Sequence, residues 1–200
     1  MTLPLPSAFK TQLSSDNLQT VANWLLEEYY ATLDDLTRKT DSSYSRGCTA
    51  FDRQKNRIVS ESLSGRHSSW LALKNASNAL VFEIGGIPCR FSNDDPTNPT
   101  KDAVLVANRY QQDFFESVDQ DEPGRFCFII DRGHDESAEP SVVFLGYTST
   151  NTVACKWQSM NKVRVFRVEG QSLAQPVDVA KPKIAPKRRD EGDAAAEVAV

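Results

Sequence analysis

Four polar residues have types and positions that could do hydrolytic chemistry: Glu83, Asp131, His134 and Lys156. Glu83 and Asp131 fall in or at the end of separate predicted strands, and Lys156 falls in a third. Two carboxylates can hold a divalent cation, and a lysine can stabilise charge developing on a phosphate, which is the chemical outline of a metal-dependent nuclease or hydrolase. Asp131-Arg132-Gly133-His134-Asp135-Glu136 is the densest run of ligand types, and a histidine among carboxylates can bind metal or act as a base. Against this, an acid and a lysine two residues apart in one strand are absent. The run also joins two strands, where polar residues belong in any case. His67, the other histidine, lies in a second polar connection.

A different chemistry is written in Arg46, Arg53, Lys55, Arg57 and Arg66, with Tyr44 and Phe51 interleaved. Such a segment can contact phosphates and stack on bases. It can equally pair with the acidic helix that precedes it. No G-x-S-x-G, no phosphate-binding glycine loop with lysine and no H-E-x-x-H occurs. The loop Arg90 to Lys101 contains Asn93, Asp94 and Asp95 but lacks the central glycine and terminal glutamate of a calcium loop. Cys48, Cys89, Cys127 and Cys155 stand far apart, without the paired spacing of a zinc site. The residues therefore point to no metal and no cofactor, and Cys127 and Cys155 read as small buried hydrophobes.

Composition bounds the alternatives. The formal net charge is −4 over 200 residues, which argues against a dedicated nucleic-acid coat or a cationic membrane binder. Residues 1–10 carry no basic n-region and no apolar run, which predicts a chain without a secretory leader and a cytoplasmic location. No stretch reaches the roughly 20 apolar residues of a membrane helix.

The elements that must position these residues follow from periodicity. Leu18, Val21, Ala22, Leu25, Leu26, Tyr29, Leu33 and Leu36 recur at three- and four-residue steps and predict a helix over 16–38, with cap oxygens in residues 14–16. Residues 41–47 read as a loop, followed by a second helix over 49–63 with Phe51, Ile58, Val59 and Leu63 inward. Residues 80–84 and 87–91 flank Gly85-Gly86, a hairpin signal, because a type I′ turn needs positive φ at both central residues. Pro88, lacking an N–H, belongs at an edge or a strand start. A third helix is predicted over 101–118, and strands over 126–131, 141–147, 152–157 and 162–168.

The resulting fold is α+β: a mostly antiparallel sheet of about five strands with two or three helices on one face. Its domain runs over 15–169, after a flexible arm at 1–14. Residues 170–200 hold as many acids as bases and few large apolar side chains, which predicts a disordered charged tail. The expected function is a non-enzymatic interaction protein that binds a protein partner through a sheet edge or helix face. The alternatives are nucleic-acid binding through residues 46–66 and metal-dependent hydrolysis at strand ends.

Overall fold

Ser14 starts the first helix: its hydroxyl accepts from the Asn17 amide at 3.3 Å, satisfying one of the donors a helix N-terminus leaves free. The computed structural model describes residues 2–111, 122–132 and 139–160. α1 spans Ser15–Asp35 and buries Leu18, Val21, Ala22, Trp24, Leu25, Tyr29 and Thr32. It ends three residues earlier than the apolar repeat suggests, because Leu36 leaves helical geometry at φ −98°, ψ 70°.

α2 spans Ser43–Leu63, so the loop expected at 41–47 is mostly helix. Serines and a glycine give that stretch the composition of a turn. Ser42 is in fact an N-cap, accepting from the Ser45 amide at 3.1 Å, and the helix runs on through Gly47. Its inward face also differs from expectation. Ala50, Gln54, Ile58 and Glu61 are buried, Phe51 and Val59 pack partly, and Leu63 is exposed.

Six strands form one sheet in the order β1-β2-β3-β4-β5-β6. They are β1 Leu71–Asn75, β2 Val81–Ile84, β3 Ile87–Asn93, β4 Arg125–Asp131, β5 Ser141–Tyr147 and β6 Val153–Gln158. Every ladder is antiparallel except β3 with β4, which is parallel. Gly85 and Gly86 join β2 to β3 with φ of 58° and 82°, as the hairpin signal requires. A Cβ at Gly85 would also lie 2.4 Å from Gln12 Cβ. Pro88 sits in β3, between two neighbouring strands. It pairs with Glu83 of β2, and the ladder to β4 begins one residue later at Cys89 and Phe126, so its missing N–H is not needed.

The sheet buries both faces at its centre, and β5 is buried throughout. Phe82, Phe128, Phe144 and Phe126 run across the helical face in ring contacts of 4.4 to 6.0 Å. Together with Leu18, Leu25 and Ile58 they form the main core. On the other face, Cys127, Ile129, Val143, Leu145 and Tyr147 pack against Val104.

Val104 belongs to α3, Asp102–Leu105, a single turn where a long helix was expected. Val106 is already extended. Arg90 reaches the carbonyls of Asp102 and Val106 at 3.4 and 3.3 Å, and Arg125 reaches that of Leu105 at 2.9 Å. These bonds hold the turn flat on the sheet instead of letting it propagate. Residues 109–111 are helical again; the rest of that expected helix, 112–118, lies outside the described residues.

Residues 2–14, expected as a flexible arm, are tied down at intervals, although many of them stay exposed. Pro4 offers its carbonyl to the Lys156 amide at 3.0 Å, along the outer edge of β6. Pro6 and Leu13 are buried. The strand expected at 162–168 and the tail expected at 170–200 lie outside the described residues. No helix among the described residues is long and apolar enough to cross a membrane.

Candidate functional site

At the carboxyl ends of a parallel strand pair both chains leave the sheet, and a crevice opens where they part. Here that pair is β3 and β4, ending in Asn93 and in Asp131-Arg132. The first turns of α2 pass over the opening. A cavity of about 440 Å³ lies there, with Phe51, Phe91 and Tyr44 among its apolar walls and Asn93, Lys101 and Arg132 among its polar ones. A second hollow of about 110 Å³ adjoins it, sharing Ser43, Gly47 and Arg132 and adding Arg46.

Each side chain is held by something nearby. Phe51 stacks on Phe91 with centroids 5.2 Å apart, fixing α2 to β3. Deeper in, Gln54 donates to the Leu25 carbonyl at 2.9 Å and accepts from Asn93 Nδ2 at 2.8 Å. This buried chain of bonds ties α1, α2 and β3 together beneath the cavity. Asn93 is 4% exposed, and its Oδ1 has no hydrogen-bond partner among the described residues.

Lys101 is presented by the loop that follows β3. Asp94 Oδ2 accepts from the amides of Thr100 and Lys101, each at 2.9 Å, and Asp95 Oδ1 accepts from Thr97. These carboxylates organise the turn. The Lys101 ammonium donates to the Asn93 carbonyl. Burial, followed by the Arg132 charge, pushes the Lys101 pKa below its usual value, while Asp94 and Cys48 act the other way. Lys101, Arg132 and Cys48 therefore share one electrostatic neighbourhood.

Arg132 lies against α2 at Gly47, where an added Cβ would stand 3.6 Å from Nη2. Arg46 donates to the Asp41 carbonyl at 2.8 Å. None of Arg46, Lys101 and Arg132 forms an ion pair among the described residues.

The rest of the basic segment behaves differently. Arg53 pairs with Asp35 at 2.7 Å and Lys55 with Asp52 at 2.9 Å. Arg57 reaches Glu27, Glu28 and Glu61, and Arg66 meets Glu61 at 3.0 Å. Those four charges are met by carboxylates, mostly of α1 and of α2 itself. Only Arg46 joins the cleft.

The hydrolytic set is not brought together. Glu83 is in β2, paired with Lys74 at 3.2 Å. It stands level with the start of β4, whereas Asp131 ends that strand six residues on, about 20 Å along at a strand's rise. Lys156 is in β6, four ladders from Glu83, again about 19 Å away at the usual spacing. His134 lies outside the described residues. No group of three or more His, Cys, Asp or Glu that could hold a metal ion occurs among the described residues.

Of the cysteines, only Cys48 is exposed, and it lines the larger cavity. A hydrogen bond with it raises the Tyr44 phenol above its ordinary value, with charge adding to the effect. Burial pushes the Cys127 and Cys155 thiols up to about 12 and Cys89 well above its usual range.

Ser43, Asn93, Lys101 and Arg132 make the cleft from three separate stretches of chain, and no spacing in the sequence links them. Comparison with protein-family models, with curated proteins and with solved structures finds no match, so the chemistry of the cleft is read from its geometry.

Proposed function

We propose that this protein is a non-enzymatic interaction protein whose cleft, between α2 and the carboxyl ends of β3 and β4, takes an acidic segment of a partner protein. One observation carries the proposal. Lys101 and Arg132 line an apolar cavity, and Arg46 the hollow adjoining it, without carboxylate partners among the described residues, whereas neighbouring Arg53, Lys55, Arg57 and Arg66 all have them. Unpaired cations beside a cavity of about 440 Å³ suit an occupant with an apolar anchor and flanking negative charge.

A single buried anchor ringed by polar contacts is how protein interfaces concentrate their affinity. Nucleic acid is the less favoured occupant. The chain's net charge is −4, and Arg46, Lys101 and Arg132 would neutralise few phosphates. The separation of Glu83, Asp131 and Lys156 favours binding over hydrolysis. The proposal sets the protein in the cytoplasm, where unpaired cysteines stay reduced.

The test is fluorescence anisotropy with two labelled probes, an acidic peptide with one central phenylalanine and a single-stranded DNA. The peptide is expected to bind, to weaken with salt, and to lose at least about tenfold in affinity with the double variant Lys101→Glu/Arg132→Glu at unchanged melting temperature. Absent peptide binding, preference for the DNA, or indifference to the charge reversal would each overturn the proposal.

A further inference from the structure

We infer that Cys48 is a modification site for anionic disulfides of the glutathione type, and that its modification closes the cleft to the partner. The second half rests on the docking reading given above. Cys48 is exposed in the second turn of α2 and lines the larger cavity, as do Lys101 and Arg132. Cys89, Cys127 and Cys155 are buried, so the chain offers one accessible thiol among the described residues.

Two independent features favour a peptide-like anion at this thiol. First, Lys101 and Arg132 lack carboxylate partners among the described residues. Their field raises the local concentration of an approaching anion and so its rate of encounter. Second, Asn93 lines the same cavity at 4% exposure with Oδ1 unpartnered among the described residues. That oxygen is an acceptor without a donor, and a donor reaching it from the cavity must first turn the side chain, because the atom itself is closed to solvent. Glutathione carries carboxylates for the cations and amide N–H groups for such an acceptor.

The step is thiol–disulfide exchange. Cys48 Sγ, as thiolate, attacks one sulfur of glutathione disulfide. A new sulfur–sulfur bond forms to Cys48, and the bond within glutathione disulfide breaks. The departing glutathione leaves with the electron pair as a thiolate and takes a proton from water. Cys48 is thereby oxidised and one half of the disulfide reduced, and excess reduced glutathione reverses the exchange. The attached glutathionyl group occupies the cavity and places its own carboxylates against Lys101 and Arg132, where the partner's acids would dock.

The experiment uses the full chain, reduced. Incubation with glutathione disulfide, followed by intact mass and peptide mapping, is expected to show one glutathionyl group, on Cys48. Rates with the dianionic 5,5′-dithiobis(2-nitrobenzoate) are compared with those of neutral 4,4′-dithiodipyridine, each normalised to N-acetylcysteine. At low salt the anionic reagent is expected to be favoured about tenfold. The preference should collapse in 1 M salt and in Lys101→Glu/Arg132→Glu. An anionic-to-neutral ratio near one in the unaltered protein, or modification of another cysteine, would overturn the inference.

Peptide anisotropy then separates the two proposals. Glutathionylated protein is expected to bind the acidic peptide at least tenfold more weakly, dithiothreitol to restore the affinity of the reduced protein, and the affinity of Cys48→Ser, whatever its value, to be unmoved by glutathione disulfide. Equal affinity before and after modification would overturn the switch and leave the docking reading in place. Failure of the reduced protein to bind the peptide would overturn the docking reading instead, and the switch with it.

Discussion

Gly47→Ala is expected to stabilise this protein. Gly47 lies in the second turn of α2, in helical conformation, half-buried and well inside Ser43–Leu63. In such a position glycine is about 0.8–1 kcal/mol less favourable than alanine, because it gives up more backbone entropy on folding. Steric opposition decides how much of that survives. The added Cβ would meet Arg132 Nη2 at 3.6 Å and Nη1 at 4.0 Å, which is ordinary contact with the end of a flexible side chain. A net gain of about 0.5–1 kcal/mol follows. For a folded body of this size that is about 1–4 °C in melting temperature. The assay is urea denaturation with an unchanged m-value, paired with a thermal melt by circular dichroism. Gly47→Leu adds bulk that must displace the Arg132 guanidinium, and is expected to abolish acidic-peptide binding while the helix content holds. Destabilisation of 1 kcal/mol or more by Gly47→Ala would refute the reasoning, since it would mean that α2 is not helical there or that Arg132 cannot yield.

Gly146→Ala is expected to have the opposite sign. Its Cβ would stand 2.5 Å from Cys155 Sγ and 2.9 Å from both Phe126 and Pro123, so overpacking should cost about 1–3 kcal/mol in urea melts. Gln54→Leu leaves Asn93 Nδ2 buried without its acceptor and is expected to cost about 1–3 kcal/mol. Leu25→Asp places an unpaired charge in the main core and should cost several kcal/mol by thermal circular dichroism; an unchanged melt would remove α1 from the core. Stability should also fall in alkali. Cys127 has its folded pKa raised by burial from 9.0 to about 12, so this contribution is complete below pH 9 and is lost as pH rises toward 12. Urea midpoints taken from pH 7 to 10.5 should decline above pH 9, and less steeply in Cys127→Ala.

Strands β2 to β6 and α1 were legible because their signals are local. The Leu18-to-Tyr29 stripe, the Gly85-Gly86 turn and the apolar runs of β4 and β5 each specify an element from a few adjacent residues. The start of α2 was not legible, because Ser42 to Gly47 has turn composition and only the cap geometry reveals a helix. The short α3 escaped for a tertiary reason: Arg90 and Arg125, from two other elements, hold its carbonyls. The cleft was invisible for the same kind of reason. Lys101 and Arg132 meet only because β3 and β4 pair in parallel, and nothing in either strand's own pattern announces that pairing. The acidic partners that neutralise Arg53 and Arg57 were visible in α1 as residues between its apolar positions, but the ion pairs themselves come from helix packing.

The most direct test is a two-dimensional ¹H–¹⁵N titration of the reduced, full-length protein with the acidic phenylalanine peptide. Shifts are expected to concentrate on Ser43, Gly47 and Cys48 of α2, on Phe91 to Asn93, and on Lys101 and Arg132. Shifts confined to the outer edges of β1 or β6, with the cleft residues unmoved, would contradict the account.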